Sequence, residues 1–124
     1  MMNKVLEEIK KGDRIAVVSG DRFTGKTASI LDAAKATPDK QILIISISPR
    51  DATVISNSLH SCKNVLSKDY HSVVRMNSIR GFHPDIIILD DFSHLNRIPS
   101  FDGIELQMAI DYIKRENTQL IKVG

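Results

Sequence analysis

The sequence predicts an α/β fold, in which helices cover both faces of a mostly parallel β-sheet to give three layers. Short apolar runs rich in β-branched residues alternate along the chain with segments whose apolar residues have helical spacing, and this alternation is typical of βαβ units. The 124 residues fit one domain, and no segment has the composition of a linker. We therefore predict that residues 1–124 form a single domain.

The first third of the chain predicts a helix, a strand, a glycine-containing loop and a second helix. Residues 3–11 have apolar side chains at helical spacing, and Gly12 follows as a helix breaker. Residues 14–19 form a β-branched run, which indicates a strand buried on both faces. Residues 27–35 again have helical spacing. The residues expected to point inward from the two helices are Val5, Leu6, Ile9, Ile30, Leu31 and Ala34.

The middle of the chain predicts a buried strand, a helix and two further short strands. Residues 41–48, QILIISIS, form the second apolar run, and Asp51 is expected to cap a helix over residues 51–60. The inward residues of this helix are expected to be Val54, Ile55 and Leu59. Residues 64–67 and 71–76, NVLS and HSVVRM, predict two short strands on either side of the segment KDY.

The last third of the chain predicts a strand, a helix and a final strand. Residues 85–90, DIIILD, are the most hydrophobic strand candidate in the sequence. Residues 104–115 have helical spacing, and residues 118–123 form a last apolar run. The residues expected to point inward from this helix are Leu106, Ile110 and Ile113.

Residues 20–27, GDRFTGKT, match the phosphate-binding pattern GxxxxGK[ST] in full, between a predicted strand and a predicted helix. Gly20 allows a sharp turn off the strand, and Gly25 allows the backbone to approach the phosphates. Lys26 can neutralise the β- and γ-phosphates, and the Thr27 hydroxyl can ligate Mg²⁺. The N–H groups of the loop and of the helix that it opens would bind the anion. The predicted nucleotide contacts are Gly20, Asp21, Arg22, Phe23, Thr24, Gly25, Lys26, Thr27 and Ala28.

The strand DIIILD has the form of a Walker B strand, because four apolar residues run into a pair of acids. Ligands of open α/β sheets bind at the carboxyl ends of the strands, so Asp90 is expected to reach the Mg²⁺ held by Thr27. Asp91 stands where many P-loop ATPases carry a glutamate that polarises the attacking water. Two alternatives stay open for Asp91. It acts as the base, or its shorter side chain leaves a slow enzyme or a protein that only binds nucleotide.

Three stretches resemble the ATPase domain of the large terminase subunits, the DNA-packaging motors of phages and viruses. They are RFTGKT at residues 22–27, ISPRDA at 47–52 and IRGFHPD at 79–85 before IIILDD. The resemblance implies a P-loop NTPase of the additional-strand, catalytic-glutamate division. In that division the last strand would lie between the P-loop strand and the Walker B strand. The resemblance also implies that Arg22 stabilises charge on the γ-phosphate.

The sequence departs from the terminase pattern in ways that limit the expected activity. The acid pair is Asp90 and Asp91 rather than aspartate and glutamate. The coupling motif and the nuclease domain of that family have no counterpart in these 124 residues. The resemblance therefore implies a truncated, minimal ATPase core rather than a complete packaging motor. An aspartate pair at this place also resembles replication initiators and helicase loaders.

These observations predict a Mg²⁺-dependent ATP-binding protein with ATPase activity, slow when alone. Lys26 and Mg²⁺ would supply charge, Asp90 would hold the metal, and Asp91 would act on the water. Full activity often needs an arginine from a neighbouring subunit, which predicts a homo-oligomer or a partner ATPase. The alternative is a nucleotide-binding module without hydrolysis, regulatory or similar to a helicase loader, that acts through a partner.

Composition sets the remaining expectations. The net charge of +2 is too small to argue for nucleic acid or membrane partners, and no window reaches the roughly 18 apolar residues of a membrane span. Cys62, the single cysteine, cannot form an internal disulfide, which is compatible with a cytoplasmic location, or the host cytoplasm for a viral protein. DNA binding is weakly supported, because the basic residues considered for it are dispersed: Arg75, Arg80, Arg97, Lys114 and Arg115.

Overall fold

The computed structural model describes residues 3–18, 26–75, 82–90 and 103–124. Five helices and five strands lie within these ranges. The strands are β1 (Ile15–Val18), β2 (Ile42–Ser46), β3 (Val65–Asp69), β4 (Ile86–Leu89) and β5 (Gln119–Val123). The helices are α1 (Lys4–Lys11), α2 (Lys26–Lys35), α3 (Pro49–Ser58), α4 (Tyr70–Val74) and α5 (Gly103–Ile113).

The five strands form one parallel sheet in the order β1-β5-β4-β2-β3. The predicted α/β class with a parallel sheet is therefore confirmed. The prediction that the last strand lies between the strand before the glycine loop and the DIIILD strand is also confirmed, because β5 pairs with β1 on one side and β4 on the other. All strands run the same way, so their carboxyl ends lie at one edge of the sheet.

One face of the sheet packs against α1, α2 and α3. Asn3 caps α1, because its side-chain oxygen accepts the Leu6 N–H at 3.0 Å. The Asn3 amide also donates to the carbonyl of Ser29 at 2.8 Å, which ties the start of α1 to α2. Each fully buried isoleucine in this core stabilises the fold by roughly 1.5–3 kcal/mol. The helices contribute the buried residues Val5, Ile9, Ile30, Ala33, Ala34 and Ile55.

The opposite face of the sheet packs against α4 and α5. Side chains alternate between the two faces along each strand, so this second core takes the strand residues that the first core does not. The strand residues are Leu43, Ile45, Ile87, Leu89 and Leu120. The helices contribute Tyr70, Val73, Leu106, Ala109, Ile110 and Ile113. Helices on both faces are compatible with the predicted three layers.

The prediction that the first strand is buried on both faces is wrong. β1 is the edge strand of the sheet, and Ile15 and Val17 are 62% and 61% exposed while Ala16 and Val18 are buried. Ile15 and Val17 point to the face of the sheet that packs against α5. A groove of about 430 Å³ on that face is lined by Ile15 on β1 and by Asp111 near the end of α5. α5 therefore covers the middle of the sheet but not β1.

Three predictions in the middle of the chain are also wrong. The segment HSVVRM was expected to be a strand, but residues 70–74 form α4, which buries Tyr70 and Val73 one helical turn apart. Asp51 was expected to cap α3. Ser48 caps it instead, since its Oγ accepts the Asp51 N–H at 3.2 Å and Pro49 occupies the first turn. In the same helix, Val54 is 53% exposed rather than inward.

Candidate functional site

The candidate site lies at the carboxyl edge of the sheet, on the face covered by α1, α2 and α3. The strand registers align one residue from each strand at this level. Val18 pairs with Val123 on β5, and Ser46 pairs with Asp69 on β3. Asp90 follows directly after Leu89, which pairs with Ile45 and Lys122. The resulting row across the sheet is Val18, Val123, Asp90, Ser46 and Asp69.

Asp90 is held firmly at this edge. Its backbone N–H donates to the carbonyl of Ile45 at 2.9 Å, and the residue is only 7% exposed. A buried carboxylate is costly unless its charge is compensated by hydrogen bonds, a cation or a metal ion. Asp90 is therefore not an ordinary solvent-exposed acid at the end of a strand. A single strand, β5, separates it from the end of β1, which corresponds to about 10 Å at the usual strand spacing.

The predicted phosphate-binding helix begins where the pattern requires it. α2 starts at Lys26, and both Thr27 and Ala28 are exposed in its first turn. α2 runs from the carboxyl edge toward the amino edge, because it follows β1 and leads into β2. Its first N–H groups therefore lie at the same edge as Asp90, and helix starts of this kind attract anions.

The structure adds two polar residues that sequence reasoning missed. Ser46 ends β2 and is fully buried, and Asp69 ends β3 and is 6% exposed. The sequence placed Asp69 in a connection between two strands, and it placed Ser46 within a longer strand. Neither residue stands at the end of an uninterrupted apolar run as Asp90 does, because Lys68 precedes Asp69 and Ile47 follows Ser46.

The remaining predicted site residues lie outside the described ranges. They are Gly20, Asp21, Arg22, Phe23, Thr24 and Gly25 in the glycine loop, together with Asp91. The structure describes the backbone of Lys26, which begins α2, but not its side chain. The structure thus brings the start of α2 and Asp90 to one edge. The roles of all these residues in nucleotide binding, metal binding and catalysis stay predictions.

Among the described residues, the basic residues considered for DNA binding follow two different helices, and two of them have side-chain partners. Lys114 pairs with Asp111 at 3.1 Å, and the guanidinium of Arg115 lies 3.0 Å and 3.1 Å from two ring nitrogens of His83. Arg75 ends a different helix, α4. Arg80 and Arg97 fall outside the described ranges.

No protein-family model matches the chain, and no curated protein matches it. Of the helices in the described ranges, none combines the length and the apolar character needed to span a membrane.

Proposed function

We propose that the protein binds ATP with Mg²⁺ at the carboxyl edge of the sheet and hydrolyses it. One observation carries the proposal. An exposed helix start follows β1 and a buried aspartate follows β4, and both lie at one edge of a parallel sheet. A site for phosphate and metal would need both groups. The sequence between β1 and α2 is the GDRFTGKT pattern, whose chemistry suits a triphosphate.

The residues of this edge fit a hydrated magnesium ion. Mg²⁺ prefers oxygen ligands and keeps several of its waters. Thr27 offers an exposed hydroxyl, and Asp90 offers a carboxylate that is already desolvated. When bound, the metal would neutralise charge on the β- and γ-phosphates. Lys26 would add a positive charge there, and Arg22 would add a second on the γ-phosphate.

Asp91 is proposed to orient and deprotonate the attacking water. It follows Asp90, whose backbone is fixed to β2 by the hydrogen bond to Ile45. A positioned general base typically contributes a factor of about 10²–10⁴ to the rate. The aspartate side chain is one methylene shorter than the usual glutamate, which suits a slow enzyme.

The test measures phosphate release from Mg·ATP by the purified protein, with and without double-stranded DNA. We expect turnover in the wild type, a fall of about 100-fold or more in Asp91→Ala, and background release in Lys26→Ala. Lys35→Ala is the matched control, because it removes a lysine from the other end of the same helix. This control is expected to keep wild-type turnover.

Two other results would change the conclusion. ATP binding that requires Lys26, without turnover in any condition, would favour the alternative function, a nucleotide-binding module that does not hydrolyse ATP and acts through a partner. Absence of ATP binding in the wild type, measured calorimetrically with Mg²⁺, would overturn the proposal as a whole.

A further inference from the structure

Ser46 is a fully buried serine whose hydroxyl has no hydrogen-bond partner. It ends the strand ILIIS, in which every residue is buried. An unpaired hydroxyl in a protein interior destabilises the fold, and buried polar groups are nearly always paired. A serine in this condition points to a group that binds there.

Two other hydroxyls in the described ranges, one buried and one partly buried, have hydrogen-bond partners. The closest comparison is Ser67 on the neighbouring strand, which donates to the carbonyl of Ala52 at 2.8 Å. Thr37 donates to the carbonyl of Ala33 at 2.9 Å. These two residues use a backbone carbonyl to satisfy the hydroxyl, and Ser46 does not.

Ser46 lies between two buried carboxylates. The register pairs it with Asp69 on β3, and the pairing of Ile45 with Leu89 puts Asp90 level with it on β4. Neighbouring strands are about 4.8 Å apart, and residues at one level of a parallel sheet point to the same face. The carboxylate of Asp69 is already oriented, because it accepts a hydrogen bond from the Ser72 hydroxyl at 2.7 Å.

We propose that Ser46 is a positioning residue of the metal site. Its hydroxyl would form a hydrogen bond to a water ligand of the nucleotide-bound Mg²⁺ and keep that water next to Asp90. Asp69, on the other side of Ser46, would add negative charge close to that water. This inference rests on the proposed function. A hydroxyl donates one hydrogen bond and accepts others, so it can bridge a carboxylate and a metal-bound water. Groups behind the direct ligands commonly change metal affinity by about 10–100-fold when they are removed.

The test is Ser46→Ala, read by the Mg²⁺ concentration that half-saturates binding of a fluorescent ATP analogue. We expect the midpoint to rise about 10-fold, while binding of the analogue in EDTA stays at the wild-type level. Without nucleotide, the melting temperature of Ser46→Ala is expected to equal or exceed that of the wild type, because an unpaired hydroxyl is removed.

Ser67→Ala is the matched control, since it deletes a hydroxyl that has a partner on the next strand. We expect a lower melting temperature and an unchanged Mg²⁺ midpoint for this variant. A Ser46→Ala midpoint equal to that of the wild type would overturn the role of Ser46 and leave the proposed function intact. A wild type that shows no Mg²⁺-dependent binding of the analogue would instead overturn the proposed function, and this inference with it.

Discussion

Gly12 ends α1 in a left-handed backbone conformation, with φ of 78° and ψ of 11°. Its N–H donates to the carbonyl of Glu8 at 3.3 Å, which satisfies one of the last carbonyls of the helix. An added Cβ would meet nothing within 4 Å, so the backbone conformation alone decides the effect of a substitution. Gly12→Ala is expected to lower the free energy of unfolding by about 1 kcal/mol. Urea denaturation measures this as a lower midpoint at an unchanged slope.

Gly12→Asn is the control for this prediction, because asparagine adopts the left-handed conformation more readily than alanine does. We expect its loss of stability to be smaller than that of Gly12→Ala. An alanine variant as stable as the wild type would show that the conformation at Gly12 does not limit stability.

Asp90 and Ser46 show which residues of the candidate site the sequence could and could not predict. The position of Asp90 could be predicted, because the apolar run before it indicates a buried strand and Asp90 follows that strand at its carboxyl end. Ser46 could not be predicted as a site residue. The role proposed for Ser46 rests on the neighbours that the register gives it, Asp69 and Asp90, and both neighbours are distant from it in the sequence.

At the scale of elements, the last turns of α5 contain a small network around Asp111. The Gln107 amide donates to Asp111 Oδ1 at 3.0 Å, and Lys114 Nζ lies 3.1 Å from the same oxygen. The hydrogen bond from Gln107, followed by that from Lys114, holds the pKa of Asp111 below its ordinary value. A lowered pKa means that the charged form stabilises the folded state at pH above the ordinary value. This contribution is lost as the pH falls through the lowered one.

We therefore expect Gln107→Ala to raise the pKa of Asp111 toward its ordinary value. The measurement is the carboxyl chemical shift of Asp111 followed by NMR as the pH is lowered. Gln41→Ala, which removes an exposed glutamine from outside this helix, serves as the control and should leave the titration of Asp111 unchanged. Identical titrations in the wild type and Gln107→Ala would contradict the expected order of causes.

Most predicted elements agree with the structure, and the exception is the short segment HSVVRM. α1, α2, α5 and the strands β2, β4 and β5 follow their predicted ranges to within a few residues. α4 was predicted as a strand because its two adjacent valines have high strand propensity, which is a weak guide in a short segment. Contact of Tyr70 and Val73 with the second core favours a helix there, and this contact depends on the rest of the fold.

At the scale of the whole molecule, the unpaired edge and the exposed apolar side chains of β1 predict self-association. Among the described strands β1 pairs with β5 alone, so its other edge has no strand partner, and Ile15 and Val17 are exposed beside it. Natural proteins usually protect such edges with charge or cover them with another chain. We expect Val17→Lys to shift the protein toward the monomer at micromolar concentration without lowering its melting temperature. Sedimentation velocity with ATP and Mg²⁺ present measures the shift.

Val54→Lys is the matched control, because it places the same charge on an exposed valine of α3, away from β1. It should associate as the wild type does. If the wild type is monomeric at every concentration tested, the prediction of a homo-oligomer is wrong.

The place of β5 between β1 and β4 was predicted only through the terminase resemblance, since hydrophobic patterns indicate strands but not which strands are neighbours. The places of β2 and β3 in the sheet were not predicted. The exposed face of β1 was not accessible from its own residues. The run IAVV has the composition of a strand buried on both faces, and its exposure depends on how far α5 extends across the sheet.

The position of β5 also determines when during synthesis the proposed site can form. Ile15 lies opposite Leu120, so β1 finds its partner almost a full chain length away. Closing so long a loop is entropically unfavourable and slow, and β1 leaves the ribosome well before β5. Until β5 inserts between β1 and β4, the start of α2 and Asp90 have no common edge. If the proposed site binds nucleotide, binding should therefore require β5 to be in place. A chain cut before Gln119 would keep the GDRFTGKT pattern and Asp90 but lose the strand that brings them to one edge.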